Sequence, residues 1–299
     1  MASVGGVLLI ANAAAGRGRA RAIAEAVVTL AQREGIRCEL LCTISADQAR
    51  DAARTAAVNG TRVVAAVGGD GTIHHVASGL AGAAACNLLL VPAGQGNDTV
   101  RSLGLPQDWR QAAALLWQGR PRPMDLLAVR WPRGDTAIGV NVLSVGFDAE
   151  VAARVRASRH GHGSPAYLLA AVQGIWRLRH RRLQITIDDH VTVGSTLFAA
   201  VANGAYYGGG MHIAPGASMD DGRLDVGIAG PLGRFDALRT LPRLYNGSHV
   251  RHPLFSLRQG ATVAISGEAA PVQIDGEPAP ASPLRVTIWP RALQVLRPA

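Results

Sequence analysis

Three glycines and one aspartate stand directly after an apolar run in the first third of the chain. The run at 62–67 predicts a buried strand, and Gly68-Gly69-Asp70-Gly71-Thr72 leads from it into a predicted helix. Glycines allow a ligand to approach the backbone closely, Thr72 is a residue type that caps helices, and the first N–H groups of a helix attract anions. Because Asp70 would repel an anion unless a cation lay between them, the motif predicts a phosphate site with Mg²⁺. The simpler alternative is a tight strand-to-helix turn.

The basic residues of this chain are unusual, because all thirty are arginine and none is lysine. A Walker A phosphate loop and a Schiff-base enzyme both need a lysine, so both classes are excluded. Phosphate charge must therefore be met by arginine, backbone N–H groups or metal. The net charge of +9 is not by itself a sign of nucleic-acid binding, and no nucleic-acid partner is expected.

The three cysteines, Cys38, Cys42 and Cys86, form no CxxC pair and leave an odd number. A disulfide framework and a zinc site are therefore not expected, and a reducing cytoplasm fits the composition. The apolar run near the N-terminus lacks a basic leader and is interrupted by Asn12, which predicts a first strand rather than a signal peptide. No uninterrupted apolar window of about 18 residues predicts a membrane-spanning helix.

The chain is long enough for two domains, and its pattern changes near Pro121-Arg122-Pro123. Before that point strands alternate with helices, which predicts a parallel, doubly wound α/β sheet in a domain over 1–124. Strands are predicted at 7–11, 37–43, 62–67 and 87–91, and helices at 19–35, 46–58, 72–80 and 107–117. After it, strand-like runs separated by Gly, Pro and Asp predict a β-rich antiparallel sandwich or barrel over 125–299. These runs lie at 126–129, 137–145, 183–187, 197–202, 224–229, 261–265, 272–274 and 284–288.

Two further loops follow predicted strands of the first domain, where ligands of such sheets bind. Gly94-Gln95-Gly96-Asn97-Asp98 offers N–H groups and a second carboxylate, and Arg101 one turn later could hold a phosphate bidentately. The loop from Asn12 through Gly16 and Arg17 to Arg19 suits a phosphate cradle at a helix start. A polar loop with Asp98 as a helix cap is the alternative interpretation of the first loop. The second loop is a weak signal alone, because any loop between a strand and a helix can carry glycine and arginine.

In this order, the three loops resemble the diacylglycerol kinase catalytic family, which includes bacterial lipid kinases and sphingosine kinases. The second half agrees with that resemblance in two places. The run from Gly208-Gly209-Gly210-Met211 to Asp220-Asp221-Gly222-Arg223-Leu224-Asp225 is similar to the family's second-domain pattern, and Ile274-Asp275-Gly276-Glu277-Pro278 is similar to its catalytic turn. The similarity covers nearly the whole chain.

The resemblance implies an ATP- and Mg²⁺-dependent lipid kinase that phosphorylates diacylglycerol or a related lipid alcohol in a cleft between two domains. ATP would be bound by the three loops and by Thr43 at the end of the second strand. Mg²⁺ would be organised by Asp70, Asp98 and Asp125, and a structural Mg²⁺ would be held by Ser218, Asp221 and the backbone of Arg223. Asp275 and Glu277 would activate the lipid hydroxyl, and either could be the base. Without the resemblance, Asp275-Gly276 would be interpreted as a hairpin turn.

The chain departs from the family pattern at several positions. Ala13 and Ala14 replace a proline and a basic residue, and Gln95 replaces a threonine. His74 and His75 stand where asparagine and glutamate are usual, and their role is left open.

Two other functions remain as alternatives: an NAD kinase-like phosphotransferase, which also uses a GGDGT turn, and a nucleotide-binding regulator without turnover. Arginines at 177, 179, 181 and 182 follow a predicted amphipathic helix over 165–176, which is compatible with peripheral contact to an anionic membrane surface. Packing of that helix on its own sheet is the competing interpretation. The oligomeric state is not fixed by the sequence, and a homodimer is compatible with it.

Overall fold

The computed structural model describes residues 6–13, 18–157 and 164–299. The chain forms two compact units, one of residues 1–126 together with 290–299, and one of residues 127–289. Two long strands, β5 (Arg120–Arg130) and β16 (Leu284–Arg297), each run from one unit into the other. Pro121-Arg122-Pro123, where the domain boundary was predicted, therefore lies inside a continuous strand.

The first unit is the predicted α/β domain. Its elements are β1 (Val7–Asn12), α1 (Arg19–Arg33), β2 (Cys38–Thr43), α2 (Ala46–Val58), β3 (Val63–Gly68), α3 (Asp70–Leu80), β4 (Asn87–Pro92), α4 (Asp98–Ser102) and α5 (Trp109–Gln118). The strands pair in parallel in the order β2-β1-β3-β4. Because β1 and β3 are neighbours and β2 lies on the far side of β1, the winding reverses there, which is where such sheets bind ligands.

The burial of β3 and β4 explains why they form the centre of this sheet. Residues 64–67 and 88–91 have no exposed surface, as expected of parallel strands that are covered on both faces. The alanine-rich helix α2 packs closely on α3, and a Cβ at Gly79 would lie 2.2 Å from the carbonyl oxygen of Arg50. Small residues on both helices therefore allow this close layer.

The second unit is β-rich. Its elements are β5 from residue 127, β6 (Thr136–Gly139), β7 (Val142–Gly146), α6 (Phe147–Ala157), α7 (Ser164–Ile175), β8 (Arg181–Ile187), β9 (His190–Thr196), β10 (Phe198–Ala202), β11 (Leu224–Ala229), α8 (Arg234–Thr240), α9 (Arg243–Asn246), a 3₁₀ turn (Ser248–Arg251), β12 (Phe255–Gly260), β13 (Thr262–Gly267), β14 (Val272–Ile274), β15 (Glu277–Ala279) and β16 to residue 289.

Two antiparallel layers enclose the core of this unit. One layer has the order β12-β11-β10-β7-β14-β15, and the other contains β16, β13, β8 and β9. Alternate residues of β7 show the two environments, because Leu143 belongs to the core between the layers and Val142 to a second core beneath the helices. The predicted fold class, an α/β domain followed by an antiparallel β-rich domain, is confirmed.

Two local predictions are wrong. The strand predicted over 137–145 is two strands, because the backbone N–H groups of residues 140–142 bind a side chain instead of continuing one ladder. The helix predicted to begin at Thr72 begins at Asp70, with Gly69 as its N-cap residue and no side-chain cap. Thr72 is instead a buried residue of the first turn.

Candidate functional site

The carboxyl ends of the parallel strands bring the predicted nucleotide loops to one edge of the sheet in the first unit. Asn12, the last residue of β1, pairs with Thr43 at the end of β2, and Gly68 pairs with Pro92 at the ends of β3 and β4. Thr43 is fully buried, and its hydroxyl donates to the carbonyl of Ala11 at 3.4 Å. The predicted residues Gly16 and Arg17 lie outside the described residues.

The loops after β3 and β4 pack directly on each other. The N–H of Ala93 donates to the carbonyl of Gly68 at 2.8 Å. A Cβ at Gly94 would lie 2.5 Å from the Cα of Gly69, so neither loop tolerates a side chain at this contact. Asn97 closes the second loop, because its side chain accepts from the N–H of Gly94 and donates to the carbonyl of Gly94.

Asp70 joins the first loop to helix α4. Its Oδ1 accepts from the N–H of Thr99 at 2.9 Å, in the first turn of that helix. Asp98, the neighbour of Thr99, is buried, so the structure brings the two predicted carboxylates to the same end of α4. A pair of carboxylates fits Mg²⁺, which keeps several waters and usually takes one or two protein carboxylates together with substrate phosphates. No group of three or more His, Cys, Asp or Glu suited to a metal occurs among the described residues.

The glycines of the first loop have different surroundings. A Cβ at Gly68 would lie 2.4 Å from the hydroxyl of Thr72, so this glycine makes room for a buried side chain. Gly71 is exposed, and a Cβ there would meet no protein atom within 4 Å. The space over Gly71, at the N-terminus of α3, is open to a ligand.

Other predicted residues of this unit have varied positions. Gln95 and Arg101 are exposed, and Gly96 is half-buried. Asp125 is buried, and its Oδ1 accepts from the N–H of Arg291 at 2.7 Å, which holds β5 against β16. The role of Asp125 at a metal stays a prediction.

The second unit contains the predicted Asp275-Gly276-Glu277 turn, which joins β14 to β15. Asp275 and Gly276 both have left-handed backbones, with φ of 51° and 88°. The carboxylate of Asp275 accepts three backbone N–H groups, from Val140 at 2.6 Å and from Asn141 and Val142 at 2.9 Å each. Asp275 therefore orders the segment between β6 and β7 as well as its own turn.

Glu277 is held less tightly than Asp275. It forms an ion pair with Arg156 of α6, and its side chain remains about one-third exposed. A short, partly exposed ion pair of this kind contributes little to stability. The ion pair with Arg156 instead fixes the direction of the Glu277 carboxylate.

The predicted second metal loop lies at 218–223. Ser218 donates its hydroxyl to Asp220, and the N–H of Arg223 donates to Asp221 Oδ1 at 2.9 Å. Asp221 is exposed, and a second Mg²⁺ at this loop stays a prediction. Nearby, burial raises the pKa of the Asp225 carboxyl, an effect opposed by hydrogen bonds from Gln259.

Sequence reasoning missed several polar residues around the turn in the second unit. Arg156 is one arginine among thirty, and Asp148 and Gln273 stand in apolar surroundings that predict only core. A polar residue inside a strand otherwise made of Val and Ile was the available signal for Gln273.

Comparison with known proteins agrees with this architecture. Residues 6–129 match the model of the diacylglycerol kinase catalytic domain, and residues 141–297 match the YegS C-terminal NAD kinase beta sandwich-like domain. A Mycobacterium tuberculosis protein named diacylglycerol kinase is 32% identical over 298 residues, which cover 99% of this chain and 96% of the relative. The chain belongs to the diacylglycerol kinase family.

Further relatives of this lipid kinase are consistent with that assignment. A Pseudomonas aeruginosa protein named "Probable lipid kinase YegS-like" is 33% identical over 273 residues, covering 90% of this chain and 88% of the relative. A solved Bacillus anthracis diacylglycerol kinase has a TM-score of 0.72 at 18% identity, covering 99% of this chain and 98% of its own, which shows a shared fold. The assignment confirms the predicted family and enzyme class. Among the described residues of this lipid kinase, no helix has the length and apolar character to span a membrane.

Proposed function

We propose that this lipid kinase transfers the γ-phosphoryl group of ATP to the hydroxyl of diacylglycerol or a closely related lipid alcohol, with Mg²⁺. The observation that carries the proposal is the arrangement around Asp70. A carboxylate is fixed at the start of α4, beside a glycine in the first turn of α3 at which an added Cβ would meet open space. A phosphate over Gly71 and a cation against Asp70 match this pairing of donors and charge. The relatives named diacylglycerol kinase support the choice of lipid.

The nucleotide is assigned to the first unit. Backbone N–H groups at Gly69, Gly71 and Gly96 would bind phosphate oxygens, with Gln95 and Arg101 as side-chain donors and Asn12 and Thr43 beside them. Asp70 and Asp98 would hold Mg²⁺, which when bound neutralises charge that develops on the transferred phosphoryl group. The fixed position of Asp70 matters because enzymes accelerate phosphoryl transfer mainly by positioning the reactants and stabilising charge, and less by covalent catalysis.

The lipid hydroxyl is assigned to the turn of the second unit, with Asp275 as the base. Three backbone N–H donors hold its carboxylate in place, so Asp275 offers a well-fixed acceptor for the proton of the hydroxyl. In a loose phosphoryl-transfer transition state the attacking hydroxyl loses its proton late, and a fixed acceptor then matters more than a strong one. Glu277, held by Arg156, would orient the hydroxyl.

An anionic membrane surface is the proposed source of the lipid. Helix α7 has no charged residue and exposes Leu168 and Leu169, with Trp176 just beyond it. Helix α8 exposes Phe235 and Leu238, which are three residues apart and so share one face. Exposed apolar groups of this size on neighbouring elements favour an apolar partner.

The charges around these helices favour an anionic partner. Arg177, Arg179 and Arg182 are exposed, and Arg234 and Arg239 are exposed on α8. Within 168–182 and 230–243, Asp236 is the only acidic residue. Arg181 does not contribute, because it is mostly buried in an ion pair with Glu150. Apolar side chains among arginines are typical of proteins that rest on anionic bilayers.

The proposed function is tested by one assay with alternative acceptors. Purified protein is incubated with labelled ATP and Mg²⁺, and with diacylglycerol, sphingosine or monoacylglycerol in mixed micelles, or with NAD in solution. We expect phosphorylated diacylglycerol as the main product. Transfer to NAD alone would support the NAD kinase-like alternative, and ATP binding without transfer to any acceptor would support a regulator.

A further inference from the structure

A series of buried, hydrogen-bonded polar side chains leads to the Asp275-Gly276-Glu277 turn. It begins at Asp148 in the first turn of α6, whose carboxylate is almost fully buried. Ser144 of β7 donates its hydroxyl to Asp148 Oδ2, and the hydroxyl of Tyr207 donates to Asp148 Oδ1 at 3.0 Å. Both donors are themselves buried.

Gln273 connects these hydrogen-bonded residues to the turn. Its Nε2 donates to the hydroxyl oxygen of Ser144 at 2.7 Å and to Asp148 Oδ2 at 3.4 Å. Because a carboxylate accepts and does not donate, the amide nitrogen of Gln273 must face Asp148. Its carbonyl oxygen then faces the other way and accepts from the N–H of Gly276.

The turn needs such support for two reasons. Asp275 is a non-glycine residue in the left-handed region, which costs free energy and persists only where surrounding contacts impose it. In addition, β14 and β15 have three residues each, and so short a pair of strands is not rigid alone. Gln273 contributes the one side-chain hydrogen bond described for the N–H of Gly276.

We propose that Asp148, Ser144, Tyr207 and Gln273 are positioning residues for the base Asp275. Hydrogen bonds are donated in sequence from Gly276 to Gln273, from Gln273 to Ser144 and from Ser144 to the carboxylate of Asp148, which also accepts from Tyr207. Linked hydrogen bonds in a buried site polarise one another, so the linked set is stronger than its bonds taken singly. The inference rests on the proposed role of this turn in the lipid kinase reaction.

Gln273→Leu is the main test, because leucine fits a buried site of this size but removes all three hydrogen bonds of the Gln273 side chain. Tyr207→Phe, which removes one bond at the far end, is the milder variant. Gln259→Leu is the matched control, since Gln259 donates to the buried Asp225 in the same sheet without reaching the turn. Single-turnover lipid phosphorylation, the KM for ATP, melting temperature, and hydrogen exchange of a peptide spanning 272–280 are measured for all three.

We expect Gln273→Leu to lower the phosphorylation rate about 10- to 100-fold, the scale of a small misplacement of a reacting group. The KM for ATP should stay within about twofold, because the nucleotide is assigned to the other unit. Amide hydrogen exchange in the peptide 272–280 should be faster in Gln273→Leu than in the wild type. The increase should be smaller in Tyr207→Phe and absent in Gln259→Leu. A wild-type rate and exchange in Gln273→Leu, or equal rate losses in Gln273→Leu and Gln259→Leu, would overturn the inference. If the wild-type protein phosphorylates no lipid, the proposed function fails, while the exchange comparison still decides whether these hydrogen-bonded residues order the turn.

Discussion

Asp70 Oδ1 accepts a hydrogen bond from the N–H of Thr99 at 2.9 Å, across 29 residues of sequence. Asp70 is also the first residue of helix α3. Its side chain therefore stabilises the start of α4 while its backbone forms the start of α3. Replacement of Asp70 by alanine therefore changes both a negative charge and a helix terminus. Experiments on this residue must separate the two effects.

Asp70→Asn makes that separation, because the amide oxygen can still accept from Thr99. We expect its melting temperature to be close to that of the wild type, while the rate of phosphorylation falls at least about 100-fold, as for loss of one charge-stabilising group. Asp70→Ala should in addition lose about 0.5–2 kcal/mol of stability, the usual cost of a lost helix cap. Activity assays and thermal melts of both variants check this. Near-wild-type activity in Asp70→Asn would remove the proposed metal role.

Gly71→Ala should increase stability and weaken ATP binding together. A Cβ at this exposed helical position meets no protein atom, and alanine favours a helix by up to about 1 kcal/mol over glycine. The methyl group would occupy the space proposed for a phosphate, so the Kd for ATP should rise by about tenfold or more. Calorimetric titration and a thermal melt measure the two quantities. Unchanged ATP affinity would show that the phosphates lie elsewhere.

Glu277→Gln and Asp275→Asn should differ in stability as well as in rate. Both oxygens of Asp275 accept backbone N–H groups, so an asparagine must direct its NH₂ at one of these donors. We expect Asp275→Asn to lower the melting temperature and to reduce single-turnover phosphorylation by about 10²–10⁴-fold. Glu277→Gln should remain as stable as the wild type with a smaller rate loss. If Glu277→Gln loses more activity, the base is Glu277.

Phe235→Ala with Leu238→Ala should weaken binding to anionic vesicles about tenfold or more, because two exposed apolar groups would no longer enter the bilayer. Val191→Ala with Val193→Ala, which removes similarly exposed groups from β9, is the control. Sedimentation with phosphatidylcholine vesicles, with and without phosphatidylglycerol, measures this at low and high salt. Binding that ignores lipid charge and salt would contradict the role of the arginines.

His249 should make the protein sensitive to mild acid. Burial lowers the pKa of the His249 ring, which contacts the carbonyl of Ile213, and the nearby His212 has a pKa lowered in the same way. The unfolded chain therefore binds protons near pH 6.5 that the folded chain does not. The contribution of the two neutral rings to the free energy of unfolding is fully present above pH 6.5 and is lost as the pH falls. Melting temperatures from pH 8 to 5 should show a smaller acid slope in His249→Gln than in the exposed control His190→Gln.

The sequence predicts the first unit better than the second. Regular alternation of apolar runs and helical spacing placed β1 to β4 and four of the five helices within two residues, since parallel strands buried on both faces are continuous apolar runs in the sequence. Two strands of the second unit lack a continuous apolar run. Strand β9 starts at His190 and is largely exposed, and strand β15 has Pro278 in its middle. Their formation depends on partners that are remote in sequence.

The candidate site was predictable as a set of motifs but not as a set of contacts. Glycine spacing marked Gly68–Thr72 and Gly94–Asp98, yet nothing in it indicated that Asp70 caps α4 or that Gly69 touches Gly94. Likewise Asp275-Gly276 marked a turn, whereas the three N–H groups that bind Asp275 come from a segment more than 130 residues earlier. Such contacts arise from tertiary packing, which local spacing does not encode.

The return of residues 290–297 to the first unit has a consequence for synthesis in the cell. Strand β16 pairs with β4 through Gln294 and Val295, and the carbonyl of Ala292 accepts from the N–H of Gly82. A ribosome that has made only the first 126 residues thus presents a sheet whose β4 edge has no neighbour from this strand. The part of the protein translated first is completed last, and during that interval its uncovered edge is the place where nascent chains would associate with one another.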